Sequence, residues 1–157
     1  MKRIILKINK GILFACVSMY FGTGWSLILF QFNSADSFTP DNYFEQFVPQ
    51  VTRATEFFTV MTIVMMISAI IMIIEHWKSI KKWFPITVLA GVFVATLLTM
   101  IYIFPYNQQM AEGITQIEVL HEVLDKWMNL NVVRVSIWTV EWLAMLLYFL
   151  IDFKEDR

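Results

Sequence analysis

Three residues poorly suited to lipid stand in one apolar stretch near the C-terminus: Asn131, Arg134 and Glu141, within residues 127–151. Arginine is a permanent cation whose planar fork of donors matches a carboxylate, phenolate or carbonyl oxygen. Asparagine donates and accepts at once. Glutamate can take or give a proton. At about 100° per residue, Trp127, Asn131, Arg134, Trp138, Glu141 and Trp142 fall within roughly a 100° arc of a helix. Such a stripe is costly against acyl chains, so it is expected to face other helices or a wet cavity. The chemistry open to it is to hold an oxygen of a flat ring, stack that ring on Trp, and move one proton.

Three residues elsewhere join the stripe as candidates. Arg53 and Glu56 lie three apart in the first turns of an apolar run over 51–74, and Asn107 follows another run over 84–104. Two readings result. In the first, the cluster is a ligand pocket. Arg53, Asn107, Trp127, Asn131, Arg134, Trp138 and Trp142 bind a flat hydrophobic aromatic such as a quinol, and Glu141 or Glu56 takes the proton. In the second, the two Arg and two Glu form neutral pairs that lock helix register in a non-enzymatic membrane subunit or interaction protein. Glu56 and Glu141 are the only carboxylates in the spans, so one of them is expected to neutralise Arg134.

Metal chemistry finds less support. The chain has two His and one Cys, too few for a four-ligand Cys/His site or a Cys-x-x-Cys motif. Glu118-x-x-His121 has the spacing of half a di-iron site, but the only other histidine, His76, is expected on the opposite side of the membrane. An exposed acidic helix face is the simpler reading, and we assign no metal and no cofactor. Proton transport is disfavoured by the lack of a second acidic residue deep in the spans.

The elements that hold these residues follow from composition and periodicity. Of 157 residues, 58% are hydrophobic and 16% charged, with a mean hydropathy of +0.61. Soluble domains carry nearer 25% charged residues, so the apolar excess needs lipid. A net charge of −1 argues against nucleic-acid binding. Four spans are predicted, at about 12–32, 51–74, 84–104 and 127–151, forming one all-α membrane bundle. The basic start resembles a signal peptide, but its apolar run is too long and no Ala-x-Ala site follows. Along the first span, Gly11, Ala15, Ser18, Gly22 and Ser26 make a small-residue stripe, read as helix packing, within the monomer in preference to between subunits. Residues 33–50 and 106–126 are acidic loops with helical periodicity. The first is expected to hold a short interfacial helix, the second an amphipathic helix on the surface or a continuation of the fourth span. Pro105 is expected to end the third span. Nine of the twelve Lys and Arg lie in the N-terminus, the connector at 75–82 and the tail, which predicts both termini in the cytoplasm of a plasma (inner) membrane. The polar stripe then opens outward, and the chain leaves room for a homo-oligomer or a membrane-complex partner.

Pro105-x-Asn107 after the third span, followed by Trp127-x-x-x-Asn131-x-x-Arg134 opening the fourth, resembles the pattern of the anthrone-oxygenase-like proteins. These are small four-helix membrane proteins, most of them bacterial. The motif covers about 30 positions, and the four-span topology extends the likeness along the chain. The resemblance implies a shared site at Asn107, Trp127, Asn131 and Arg134. It also implies an oxygenase without an evident metal or flavin, since fungal relatives oxidise anthrones to anthraquinones.

Overall fold

The computed structural model describes residues 2–35 and 37–155. Four long helices, α1 (Arg3–Ala35), α2 (Tyr43–Glu75), α3 (Ile80–Glu112) and α4 (Ile117–Ile151), form an antiparallel bundle, with α4 running on to Glu155. Each is long and apolar enough to cross a membrane, as expected of a multi-pass membrane protein. The helices stand in ring order, each beside its neighbours in sequence and α4 closing against α1. The connections are short and locally determined. Gly113, at φ +97°, supplies the left-handed residue that ends α3. Ser79 accepts a hydrogen bond from the Lys81 amide and turns the chain into α3.

The helices overrun the predicted spans at both ends, because polar flanking residues continue the helix into the aqueous layers. The first acidic loop holds the short helix Tyr43–Gln46, which runs through Phe47 into α2. The second acidic segment is divided: residues 106–112 end α3, and residues 117–126 take the continuation as the opening turns of α4. Pro105 does not end α3. The preceding residues Thr99–Ile103 make a π turn, and Phe104–Glu112 restarts as α-helix with the proline in its first turn, where its missing N–H is not needed. A second π turn, Leu27–Gln31, interrupts α1.

Two cores hold the bundle. The inner one contains Leu13, Val17, Met65, Met72, Val88 and Met145. Polar ties reinforce that end: Asn9 Nδ2 donates to Ser68 O at 3.0 Å, and Lys10 Nζ lies 3.0 Å from Glu75 Oε1. His76 Nε2 lies 2.9 Å from the Tyr148 hydroxyl. The outer core contains Tyr43, Ile103, Met110, Leu120 and Trp127. The small-residue stripe of α1 does not pack within the monomer. Gly11 and Gly22 meet nothing within 4 Å, and the buried face is instead Leu13, Val17, Tyr20 and Gly24. Even spacing marks a helix face without saying which way it points.

Candidate functional site

Between the two cores lies a cavity of about 660 Å³. All four helices wall it, and α4 supplies Trp127, Arg134, Trp138 and Glu141 to one side. That is the stripe expected from 100° spacing, now facing a space. At the outer end, Trp127 is buried and donates through Nε1 to Asn107 Oδ1 at 2.7 Å, tying α4 to α3. Asn131 is fully buried one turn deeper. Its amide donates to Trp127 O at 2.7 Å, and its Oδ1 accepts from Arg134 Nη2. Both ends of this amide are therefore committed inside the protein, and Asn131 holds Arg134 in place.

Arg134 has no carboxylate partner among the described residues, contrary to expectation. Nη1 lies 3.4 Å from Thr99 Oγ1, whose own proton goes to Ala95 O at 2.7 Å. The guanidinium carbon sits 4.7 Å from the centre of the Trp138 ring. A cation over an indole face gains electrostatic energy without a counter-ion, more so where water is scarce. The Nε donor is buried with no hydrogen-bond partner. Trp138 is fixed in turn by the Tyr20 ring, edge-on at 4.6 Å, and by Phe58 at 6.2 Å. The Tyr20 hydroxyl donates to Phe58 O at 2.8 Å and lies 2.6 Å from Thr62 Oγ1, linking α1 to α2 beside the cavity.

Glu141 forms the deep wall. It is 1% exposed, and neither carboxyl oxygen has a hydrogen-bond partner. Gly91 makes its position possible: a Cβ there would lie 2.5 Å from Oε1 and 2.7 Å from Cγ of Glu141. A buried polar group left without a partner is costly. The carboxyl packs against Gly91 of α3, and Glu141 is one of the residues that line the cavity.

Not every candidate converges. Arg53 and Glu56 lie on the exposed face of α2, outside the cavity lining. Trp142 turns toward α1 and stacks on Phe21, with centroids 4.6 Å apart and planes at 14°. His121 Nε2 reaches Phe38 O at 3.2 Å, and no three His, Cys, Asp or Glu converge among the described residues. Sequence reasoning missed Tyr20, Phe58 and Thr99. Thr99 left a faint signal as a hydroxyl in an apolar run; the two aromatic residues left none among so many.

Compared with protein-family models, curated proteins and solved structures, the chain matches none.

Proposed function

We propose that this multi-pass membrane protein binds a flat, mainly apolar aromatic carrying a quinol- or anthrone-like hydroxyl, in the cavity of its outer half. The observation that carries this reading is a buried carboxyl with no hydrogen-bond partner among the described residues, that of Glu141, on a residue that lines a largely apolar space. A volume of about 660 Å³ suits a ligand of drug-like size. A ring lying along Trp138 would present one oxygen to the Arg134 fork and a hydroxyl proton to Glu141. Removing that proton is the first requirement of oxidising such a ring, and Glu141 is placed to accept it. Oxygenation itself is supported only by the resemblance of the Asn107, Trp127, Asn131 and Arg134 pattern to the anthrone-oxygenase-like proteins. The distribution of Lys and Arg supports an inner-membrane location with both termini cytoplasmic, which turns the cavity toward the outer leaflet.

The rival reading is a non-enzymatic subunit whose polar cluster only joins helices. It draws on the Asn107–Trp127 and Asn131–Arg134 contacts, which need no ligand. Protein taken into nanodiscs with its native lipid separates the two, by mass spectrometry of bound small molecules and a melting curve. We expect an aromatic ligand in the wild type. Arg134→Leu and Glu141→Gln should each lose most of it, and Glu141→Gln, which orphans no hydrogen-bond partner, should displace melting by no more than about 3 °C. A wild type that carries no aromatic, with Arg134→Leu destabilised by about 1–3 kcal/mol through the orphaned Asn131 oxygen, would leave the joining role alone.

A further inference from the structure

The route into the cavity bears on what it holds. At its aqueous end a second hollow of about 230 Å³ shares Phe47, Val51, Thr55, Phe104 and Asn107 with it, and the first loop is tied down beside both. Tyr43 is 1% exposed, and its hydroxyl donates to Met110 O at 3.0 Å and accepts from the Ile114 amide at 2.5 Å. Phe47 and Phe32 pack edge-on against Trp127 beneath it, at 5.0 and 6.0 Å. These contacts fasten the first outer loop over the ends of α3 and α4.

Lining residues reach the surface on the two sides of α2. Toward α1 the lining residues that reach the surface are Thr23, Gln31, Gln50 and Ala54, at or near the outer end of the span. Toward α3 they are Thr59, Ile63, Met100 and Phe104, with Ile63 55%, Met100 60% and Phe104 38% exposed. Ile63 is ten residues down α2 from Arg53, about 15 Å at helical rise, roughly half the hydrocarbon thickness. Met100 belongs to the π turn of α3, where the helix is wider. The α1 side therefore presents mostly polar residues near the headgroup layer, and the α3 side presents Ile63 and Met100 at mid-membrane depth.

Given the reading above that the cavity holds an aromatic head, we infer that the ligand is a membrane-dissolved amphiphile whose long apolar tail leaves between α2 and α3. A compact, tail-less ligand would leave the mid-depth gap to be filled by an acyl chain from the bilayer. A head with a tail fills both spaces with one molecule. Its polar end meets Arg134 and Glu141, and its chain passes Ile63 and the adaptable Met100 into surroundings of its own kind. The ligand then enters from the lipid phase, and no outer loop has to open.

Two probes test this in nanodiscs: a benzoquinol with a long alkyl chain, and the same benzoquinol without it. Retention is read by mass spectrometry, with free ligand expressed per lipid so that partitioning of the chain drops out. Ile63→Trp combined with Met100→Trp should weaken the tailed quinol about tenfold or more and leave the tail-less one within about twofold. Thr23→Trp combined with Ala54→Trp should not discriminate against the tail. To separate blockage from misfolding, Met100→Cys in a Cys16→Ala background can be alkylated with a bulky apolar maleimide after folding, and the same selective loss is expected. If both probes bind the wild type and the gap variants alike, the tail does not leave there and the inference falls while the binding site stands. Selective loss of the tailed quinol from the α1-side variant would equally overturn it. If neither probe binds the wild type, the aromatic site itself fails, and this inference with it.

Discussion

A guanidinium inside an apolar bundle costs more than any one neutral contact returns, and Arg134 offsets that cost with three. Asn131 Oδ1 and Thr99 Oγ1 accept from its two terminal nitrogens, and Trp138 lies under its plane. The sequence implied a carboxylate instead, because Glu141 shares its helix face. Seven residues are about 10 Å along the axis, however, and the Thr99 hydroxyl available nearer by stands on another helix, where counting along one cannot find it. Glu141 is left with acceptors and no donor. Gly91 controls it, and Gly91→Ala tests how. The new methyl would collide with the Glu141 side chain, which has the cavity to turn into. We expect ligand retention to fall about tenfold while the melting temperature moves by less than about 3 °C. Gly24→Ala makes the contrast. Its methyl would lie 2.7 Å from Val135 Cγ2 and 2.9 Å from Trp138 Cε3, in packed core, so it should cost about 1–3 kcal/mol in chemical denaturation. A large stability loss for Gly91→Ala with ligand retained would mean that the carboxyl is structural.

Helices α1 and α3 each carry a π turn, and both turns fall at the level of the cavity. Leu27 and Gln31 from the first, and Thr99, Met100 and Ile103 from the second, line it. A π turn inserts a residue and rotates everything beyond it, so a constant 100° projection holds on each side of the turn and fails across it. Helix α4, uninterrupted, is legible as a polar stripe from sequence alone; the small-residue stripe of α1 lies before its π turn and misleads because spacing does not say which way a face points. The π turn of α3 explains Asn107: eight residues at about 100° would set it roughly 80° away from Thr99, whereas beyond the π turn both line the cavity, and Asn107 meets Trp127 there. The contact should be worth a measurable coupling. Asn107→Leu strands the buried Trp127 N–H and is expected to cost about 1–3 kcal/mol. Trp127→Phe strands only the part-exposed Asn107 oxygen and should cost less in polar terms, though it also trims the outer core. In a double-mutant cycle on melting free energy, the pair should lose less than the sum of the singles, by about 0.5–1.5 kcal/mol. Additive losses would show that α3 and α4 are held by packing and that this hydrogen bond is incidental.

The molecule is solid at one end and hollow at the other. Residues near its basic termini and connector are packed and tied by Asn9–Ser68, Lys10–Glu75 and His76–Tyr148, while the end bearing the acidic loops contains the cavity. Composition made the four spans and their antiparallel order legible, because each needs only an apolar run of sufficient length. A void leaves no such mark, since the residues lining it are the same Thr, Ile, Met and Phe that would fill a core. Orientation decides which leaflet supplies the ligand, and it rests on charge: Lys78, Lys81, Lys82 and the basic N-terminus resist transfer across the membrane. Trp77 and Trp83 add to that end, each with Lys82 Nζ within 6 Å of its ring centre, an amphipathic set suited to the headgroup layer. Single cysteines in a Cys16→Ala background read the outcome directly. Ser37→Cys and Gln116→Cys, both at exposed positions of the acidic loops, should react in intact cells with a membrane-impermeant maleimide. Ile80→Cys, at a position 75% exposed beside the basic connector, should react only after permeabilisation. The reverse pattern would place the cavity in the cytoplasmic leaflet. It would leave the chemistry of Arg134 and Glu141 as described but reverse the side from which a lipid-dissolved ligand reaches them.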